Sequence, residues 1–379
     1  MQRTHKGLLG TAPVQSLFFL IMIFSISPQA ARAGGVWLQA QEPRTWHFPR
    51  DHGAHPEYQT EWWYYTGNLL DTAGRRYGYQ LTFFRFGVNQ DADTLANPWQ
   101  LRDIYTAHAA ITMEEGKTFC FKERVSREGP GLAGTRTDRM EIWLFNWSAG
   151  MRDGAILLEA YDAGLEIKLT LQPLKPPVLH GEGGLSRKGS VPGQASYYSS
   201  LTRLETRGTL RAGADNTPLS VTGLSWYDHE FGSNQLAPGQ EGWDWFSLHL
   251  SDGRELMLYM IRKADGAVEE FSSGTLVEAD GTWRHLRLSD FTVRVLKRWD
   301  SLQSGARYPA RWQMRIPSAQ IELLVTPLIS NQELITGRST GIIYWEGAVN
   351  AAGISQDAPI TGQGYAELTG YAGSMGGIF

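Results

Sequence analysis

Short runs in which apolar and polar residues alternate recur along most of the chain. Residues 77–86, 165–171 and 255–261 are three such runs, and turn sequences such as 71–74 and 251–253 punctuate the chain at hairpin spacing. Alternation of this kind is typical of half-buried β-strands, whereas the spacing of amphipathic helices is hard to find here. The pattern therefore predicts an all-β protein, with an antiparallel, up-and-down sheet or barrel in each half.

Composition and length add a domain prediction. The 379 residues include 42 glycines and 44 aromatic residues (14 Trp, 15 Tyr and 15 Phe), and aromatic residues favour strands. The chain exceeds the length that one hydrophobic core usually serves, so two domains are expected. We place them at residues 44–236 and 237–379, with the Pro238-Gly239 loop near the junction. The alternative is a boundary near 215, because residues 212–216 are also loop-like.

The N-terminal residues have the features of a secretory signal peptide. Arg3 and Lys6 give a basic start, residues 17–24 are apolar, and small residues precede a cleavage site after Ala33. Residues 1–33 are therefore predicted to be removed, which would leave a periplasmic or secreted protein. An uncleaved anchor is the alternative, although the apolar stretch is shorter than the roughly 20 residues of a spanning helix. No second candidate follows, so no transmembrane segment is expected in the mature chain.

Charge and cysteine content exclude several kinds of partner and cofactor. The net charge is -4 and no basic run occurs, which argues against nucleic acid. Cys120 is the only cysteine, so an exported chain has no internal disulfide. His52 and His55 lie close together, but no cysteine or third histidine follows at ligand spacing. We therefore predict neither a metal site nor a cofactor.

The segment from Trp226 to Phe231 carries the most distinctive chemistry. Asp228, His229 and Glu230 are consecutive within it. On a strand, Asp228 and Glu230 share one face roughly 7 Å apart, close enough to influence each other's pKa. Burial raises a carboxyl pKa, so we predict Asp228 as a proton donor, with Glu230 and His229 as tuning or relay groups. The alternative is structural: the carboxylates pair with an arginine or cap backbone amides.

Other aromatic segments predict the walls of a pocket. Alternation places Glu61 with Trp63, Trp243 with Trp245, and Tyr344 with Glu346. If these faces meet, they form an aromatic cavity with a few polar groups, which is the usual form of a small-molecule site. Taken singly, each tryptophan has a simpler role as core. The predicted ligand-binding residues are Glu61, Trp63, Tyr198, Trp226, Trp243, Trp245, Tyr344 and Glu346.

Residues 337–341 match the Gly-x-Ser-x-Gly pattern of serine hydrolases. The segment precedes the predicted strand 342–345, whereas a nucleophilic serine of this kind follows a strand and opens a helix. Ser339 is therefore not expected to be a nucleophile. His108 lies on an apolar strand and is expected to be a hydrogen-bonded core histidine.

Five separated motifs resemble one protein family. Residues 48–56, 61–69, 196–199, 223–232 and 344–347 are similar, in this order, to the AttH-like predicted secreted hydrolases, which are relatives of carotenoid 1,2-hydratase. The resemblance spans nearly the whole mature chain. It implies two lipocalin-like (calycin) antiparallel β-barrels packed together.

The resemblance also implies two possible classes of function. Better-understood relatives add water or a proton to carbon-carbon double bonds of isoprenoids, or cyclise such chains, using a carboxylic acid beside aromatic rings. The first class is therefore an exported enzyme that acts on an apolar or amphiphilic, isoprenoid- or lipid-like ligand by acid-base chemistry. The second is a non-catalytic lipid-binding or chaperoning component, since the resemblance to AttH implies work beside an ABC transport system.

Overall fold

Two antiparallel β-sheets form the protein, which is all-β and lipocalin-like as predicted. The computed structural model describes residues 37–90, 97, 99–213, 217–234 and 236–375. The predicted signal peptide, residues 1–33, lies outside these ranges.

The first sheet contains 13 strands and curls into a nearly closed barrel. In chain order the strands are Thr60–Asp71 (β1), Arg76–Gly87 (β2), Asp103–Met113 (β3), Thr118–Arg127 (β4), Ala133–Thr135 (β5), Glu141–Leu144 (β6), Trp147–Arg152 (β7), Ala155–Asp162 (β8), Leu165–Pro173 (β9), Val178–Leu179 (β10), Leu185–Arg187 (β11), Ala195–Ala212 (β12) and Leu219–Asn234 (β13). The spatial order is β4-β3-β2-β1-β13-β12-β9-β8-β7-β6-β5, and β10 and β11 also pair with β12. The sheet curls until β4 contacts β6 and β9.

The second sheet contains 10 strands and forms a half-barrel, where we predicted a second barrel. Its strands are Gln240–Leu250 (β14), Glu255–Lys263 (β15), Ser273–Val277 (β16), Trp283–Arg287 (β17), Thr292–Asp300 (β18), Arg307–Ile316 (β19), Ile321–Pro327 (β20), Glu333–Ile335 (β21), Ile343–Ser355 (β22) and Ala358–Leu368 (β23). The spatial order is β17-β16-β15-β14-β23-β22-β20-β19-β18, and β21 pairs with β22.

Helical structure in the described residues is limited to four single 3-10 turns, at Arg50–His52, Glu115–Lys117, Leu288–Asp290 and Pro317–Ala319. Among the same residues, no helix has the length and apolar character that crossing a bilayer requires.

The division into sheets falls near the predicted domain junction. The first sheet ends at Asn234 and the second begins at Gln240. The alternative boundary near 215 falls between β12 and β13, which pair within the first sheet. Because Gly35–Phe379 clusters as one compact unit, the assignment of two domains stays a prediction.

Alternation lets single strands contribute to two apolar layers. Trp63 and Tyr227 belong to the core inside the barrel, whereas their neighbours Tyr64 and Trp226 belong to a layer between the two sheets. The second sheet behaves in the same way, since Trp345 packs in its own core. The layer between the sheets is therefore built from the aromatic residues that the barrel core leaves out.

Direct contacts hold the two sheets close together. The side-chain amide of Asn68 donates to the backbone oxygen of Gly364 at 2.9 Å. At Gly78 of β2 the backbones approach so closely that an added Cβ would lie 2.6 Å from the Cβ of Ala348 on β22. Glycine is therefore required at position 78 by the packing of one sheet on the other.

We expect Gly78→Val to destabilise the protein by about 1–3 kcal/mol, because the added atoms overpack the contact between the sheets. Urea unfolding followed by tryptophan fluorescence measures this change. Gly373→Ala is the matched control, since no atom lies within 4 Å of an added Cβ there. An equal loss of stability in both variants would contradict the proposed contact.

Candidate active site

A cavity with a volume of about 100 Å³ lies where the two sheets face each other. The strand register places its lining in rows across the sheets. One row of the first sheet runs from Ser200 through Asp228, Tyr64 and Thr82 to His108, and the next from Tyr198 through Glu230 and Trp62 to Phe84. The facing row of the second sheet is Tyr259, Trp245, Glu367 and Glu346.

The lining combines aromatic rings with an unusual number of ionisable groups. The aromatic residues are Trp62, Tyr64, Phe84, Tyr198, Trp243, Trp245, Tyr259 and Tyr344. The acidic and basic residues are His108, Lys188, Asp228, Glu230, Glu346 and Glu367. Charged residues are rarely buried without partners, so the partners of each carboxyl decide what it can do.

Asp228 is buried among neutral hydrogen-bond donors. Tyr198 Oη donates to Oδ2 at 2.7 Å, Trp226 Nε1 donates to Oδ1 at 2.5 Å, and Ser200 Oγ also donates to Oδ1. Burial raises the pKa of Asp228 to about 7, although these three donors oppose the rise. The carboxyl can therefore hold or release a proton near neutral pH.

The hydrogen bonds also indicate which oxygen of Asp228 carries that proton. Among the described residues, Oδ1 accepts two hydrogen bonds, whereas Oδ2 accepts one, from Tyr198. Tyr198 Oη in turn accepts from Trp245 Nε1 at 3.0 Å, which fixes the direction of its own donation. The second lone-pair position of Oδ2 thus remains for the acidic proton.

His180 is linked to Asp228 through Ser200, and it was not among the predicted residues. Its Nε2 lies 2.6 Å from Ser200 Oγ and its Nδ1 lies 2.8 Å from Thr275 Oγ1. Because Ser200 gives its proton to Asp228, Nε2 donates to Ser200 and Nδ1 accepts from Thr275. Burial lowers the pKa of His180 well below its usual value, so the ring is a neutral positioning group.

Glu230 has a cationic partner, unlike Asp228. Its Oε1 lies 3.0 Å from Lys188 Nζ and also accepts from Ser196 Oγ. Burial opposes the charge on Lys188, but Glu230, Tyr259 and Asp228 together raise the pKa of Lys188 above its usual value. The ammonium also lies 4.2 Å from the centre of the Tyr259 ring. Glu230 therefore belongs to a buried ion pair beside the acid.

Two further carboxyls face Asp228 from the second sheet. Glu346 and Glu367 are direct cross-strand partners, and Trp243 Nε1 donates to Glu367 at 2.9 Å. Burial raises the pKa of Glu367 to about 7, and Asp228 and Glu230 act in the same direction. Burial and the nearby Glu367 raise the pKa of Glu346 well above its usual value. Glu367 was not among the predicted site residues, because the sequence does not show which face of β23 meets the cavity.

Glu61, Trp63 and His229 do not line the cavity, contrary to the predicted grouping. In the register of β1 and β13, Trp62 lies opposite Glu230 and Tyr64 lies opposite Asp228. Trp62 and Tyr64 therefore lie on the same face of the sheet as Asp228. Because side chains alternate along a strand, Glu61 and Trp63 point into the barrel interior. The remaining predicted residues meet: Tyr198, Trp243, Trp245, Tyr344 and Glu346 line the cavity, and Trp226 contacts Asp228 beside it.

Inside the barrel, Glu61 is the centre of a separate buried network. Its carboxylate contacts Arg85 Nε at 3.1 Å, His55 Nδ1 at 3.1 Å and His229 Nε2 at 2.9 Å. Although burial opposes it, hydrogen bonds from His229 and His55 hold the pKa of Glu61 well below its usual range. Arg85 continues the network to Asp103 at 3.0 Å.

The residues around Glu61 are also the candidate ligands for a metal ion. Within the described ranges, His55, Glu61 and His229 are the group whose potential ligand atoms lie within 4.8 Å of one another. Arg85 already supplies a positive charge to Glu61, and His229 Nδ1 lies 3.1 Å from the backbone oxygen of Asp51. The residues therefore fit a closed ion-pair network that leaves no oxygen of Glu61 free.

Ser339 lies in the connection between the paired strands β21 and β22, next to the cavity residue Thr340. Its Oγ donates to Glu123 at 2.6 Å and lies 2.9 Å from His108 Nε2. Since the serine proton is directed to Glu123, His108 donates to Ser339 and does not act as its base. Burial lowers the pKa of His108 to about 3, in keeping with a neutral ring.

Comparison with known proteins identifies the family. Residues 39–371 match the protein family described as AttH-like. The chain belongs to the AttH-like family. A crystal structure from Nitrosomonas europaea that carries the provisional name AttH is 30% identical to this AttH-like chain, with a TM-score of 0.79. That match covers 88% of this chain and 99% of the other.

Two more distant structures share the fold of this AttH-like protein. Kievitone hydratase from Nectria haematococca is 14% identical over 88% of this chain and 98% of that one, with a TM-score of 0.68. CghA, solved with Sch210972, is 13% identical over 84% and 90% of the two chains, with a TM-score of 0.50. The comparison with curated protein sequences gave no match.

We expect Arg85→Met to destabilise this AttH-like protein by about 3–5 kcal/mol, because it removes the buried cation that contacts both Glu61 and Asp103. Urea unfolding measures the change. Arg139→Met is the matched control, because half of the Arg139 side chain is exposed and its partners Asp138 and Glu141 lie at the surface. The network is not structural if the two variants unfold at the same urea concentration.

Proposed function

We propose that the cavity binds an apolar or amphiphilic, isoprenoid- or lipid-like ligand and that Asp228 donates a proton to it. One observation carries this proposal. Asp228 is a buried carboxyl whose pKa is raised to about 7, and it lines an aromatic cavity. General acids work best when their pKa lies near the working pH. A carboxyl needed only for structure is better served by a cationic partner, as Glu230 has in Lys188.

The chemistry follows from the hydrogen bonds of the acid. The proton leaves Oδ2 and forms a bond to one carbon of a ligand double bond, which places a positive charge on the neighbouring carbon. Tyr198, Ser200 and Trp226 then stabilise the Asp228 carboxylate through bonds that are already formed. Water adds to the cation and loses a proton to a carboxylate of the cavity, which completes a hydration. Kievitone hydratase has the same fold, which supports this reaction class.

Substituting Asp228→Asn should abolish turnover and largely retain binding, because the shape is kept and the acidic proton is lost. We expect the rate to fall by at least about 10²-fold. Farnesol and geranylgeraniol incubated in D2O provide the assay, since proton addition to carbon incorporates deuterium that mass spectrometry detects. Native mass spectrometry of the same mixtures measures binding.

Asp138→Asn is the matched control, because that side chain is 68% exposed. The proposal fails if the parent protein binds these alcohols without incorporating deuterium, which is the behaviour of a lipid-binding component. If Asp228→Asn retains full turnover, another group is the acid. If it unfolds the protein, the Tyr198→Phe variant described next tests the same role.

The rate should fall as pH rises above about 7, because Asp228 must be protonated to act as an acid. Tyr198 lowers the pKa of Asp228, so Tyr198→Phe should raise that pKa and move the falling limb to higher pH. Rates of deuterium incorporation between pH 5 and 9 measure the shift, on the order of one unit for one lost hydrogen bond. Glu367 titrates in the same range, so Glu367→Gln identifies its share. If the fall in rate occurs at the same pH in Tyr198→Phe as in the parent protein, a group other than Asp228 causes it.

A further inference from the structure

We propose that a hydrogen-bonded relay carries protons between the protein surface and the buried carboxyl of Glu346 in the cavity. The relay runs from Glu123 through the side chains of Ser339, His108 and Tyr344. The inference deepens the proposed function, because it names the route by which a cavity occupied by an apolar ligand exchanges protons with solvent. Only the use of the relay in turnover rests on that function.

The first support is a continuous row of hydrogen bonds that passes back and forth between the two sheets. Ser339 Oγ, in the connection between β21 and β22, donates to Glu123 on β4 at 2.6 Å. The same oxygen lies 2.9 Å from His108 Nε2 on β3. His108 Nδ1 lies 2.8 Å from the hydroxyl of Tyr344 on β22. This hydroxyl is also hydrogen-bonded to the Glu346 carboxyl, which completes the row.

The second support is the contrast between the two ends of the row. Glu123 is only half-buried, so its carboxylate is in contact with solvent. Glu346 is 1% exposed and lines the cavity. Between these ends, His108 and Tyr344 are buried as well. A carboxylate at the surface is therefore connected to a carboxyl of the cavity through side chains that are shielded from water.

The third support is that the hydrogen bonds point in one direction. Ser339 donates to Glu123, so its oxygen accepts from His108 Nε2. With a proton on Nε2, the neutral ring accepts at Nδ1 from Tyr344. Burial raises the pKa of Glu346 well above its usual value, so this carboxyl carries a proton that it can donate to Tyr344. Every donor in the row points from the cavity towards the surface.

One concerted shift along the row moves a single proton outwards. Glu346 gives its proton to the Tyr344 oxygen, and Tyr344 gives its own proton to His108 Nδ1. His108 then gives the Nε2 proton to Ser339, and Ser339 gives its proton to Glu123. Each group between the ends gains one proton and loses one, so His108 changes its tautomer and stays neutral. Glu346 becomes a carboxylate, and Glu123 becomes a carboxylic acid that releases the proton to water.

This shift supplies the carboxylate that the proposed hydration needs. Water that adds to the cation must lose a proton to a carboxylate of the cavity, and Glu346 becomes such a base after one outward shift. Tyr64 is hydrogen-bonded to Glu346 and lies directly opposite Asp228 in the strand register. The relay therefore ends beside the proposed acid, and the reverse shift returns a proton from solvent to the same place.

Infrared spectroscopy tests the relay, because the carbonyl band of a protonated carboxyl shifts when deuterium replaces the proton. The band that Glu346→Gln lacks belongs to Glu346. The protein is saturated with decanol, which has no double bond to protonate, and is mixed rapidly with D2O. Ser339→Ala and Tyr344→Phe should each slow the shift of this band at least about tenfold, because exchange then requires local opening of the protein.

Ser339→Thr keeps the hydroxyl and should exchange at the parent rate. Ser289→Ala is the matched control, because its exposed hydroxyl donates to Asp290 and the residue does not line the cavity. If the Ser339 hydrogen bonds served only to fix the loop, Ser339→Ala would unfold at lower urea concentration but exchange at the parent rate. Exchange at the parent rate in either Ser339→Ala or Tyr344→Phe would overturn the relay, as would equal slowing in Ser339→Thr. If one variant does not fold, the other decides.

The outcomes separate the relay from the proposed function. Native mass spectrometry shows whether decanol is bound; if it is not, the ligand part of the proposed function fails and the free protein is judged by the same exchange rates. Slowed exchange in the variants of a protein that adds no deuterium to farnesol would keep the relay and remove the proton-transfer function. Deuterium incorporation with exchange at the parent rate in either variant would do the reverse.

Discussion

Alternation of side chains along β13 is the constraint on which the site depends. Asp228, His229 and Glu230 are neighbours in sequence, but His229 faces the barrel interior while the two carboxyls face the cavity. His229 therefore joins the Glu61 network, and its two ring nitrogens contact Glu61 and the backbone oxygen of Asp51 instead of Asp228. A single strand thus stabilises the barrel with one face and carries the proposed acid on the other.

The buried carboxyls differ in function because they differ in partners. Glu61 contacts Arg85 and two histidines, and Glu230 contacts Lys188, so both are held in ion pairs. Among the described residues Asp228 has only neutral donors, which leave its pKa raised, and Glu346 likewise has neutral tyrosine partners and a raised pKa. Ion pairing keeps a carboxylate charged, whereas burial without a countercharge raises the pKa and leaves a group that can exchange a proton near neutral pH.

The sequence predicted the all-β fold, the family and Asp228 in an aromatic setting, because these depend on local alternation and on motifs. It could not decide which face of β1 meets the cavity. Residues 61–65 are aromatic or acidic on both faces, so alternation identifies which residues share a face but not what that face contacts. Lys188 contacts Glu230 and His180 contacts Ser200, both from loop segments that only tertiary packing brings to the cavity.

The filled barrel explains why the cavity lies between the sheets. Lipocalin-like barrels commonly hold a ligand inside, but large side chains such as Trp63, Tyr65 and Trp147 are fully buried in the core of this barrel. The Glu61–Arg85 pair occupies further interior space. The aromatic residues on the outer face of β1 and β13 must then be covered by something other than water, and the half-barrel covers them. The gap that it leaves is lined by residues of both sheets, including Glu346 and Glu367, so the proposed ligand site depends on the second sheet, whereas the barrel core does not.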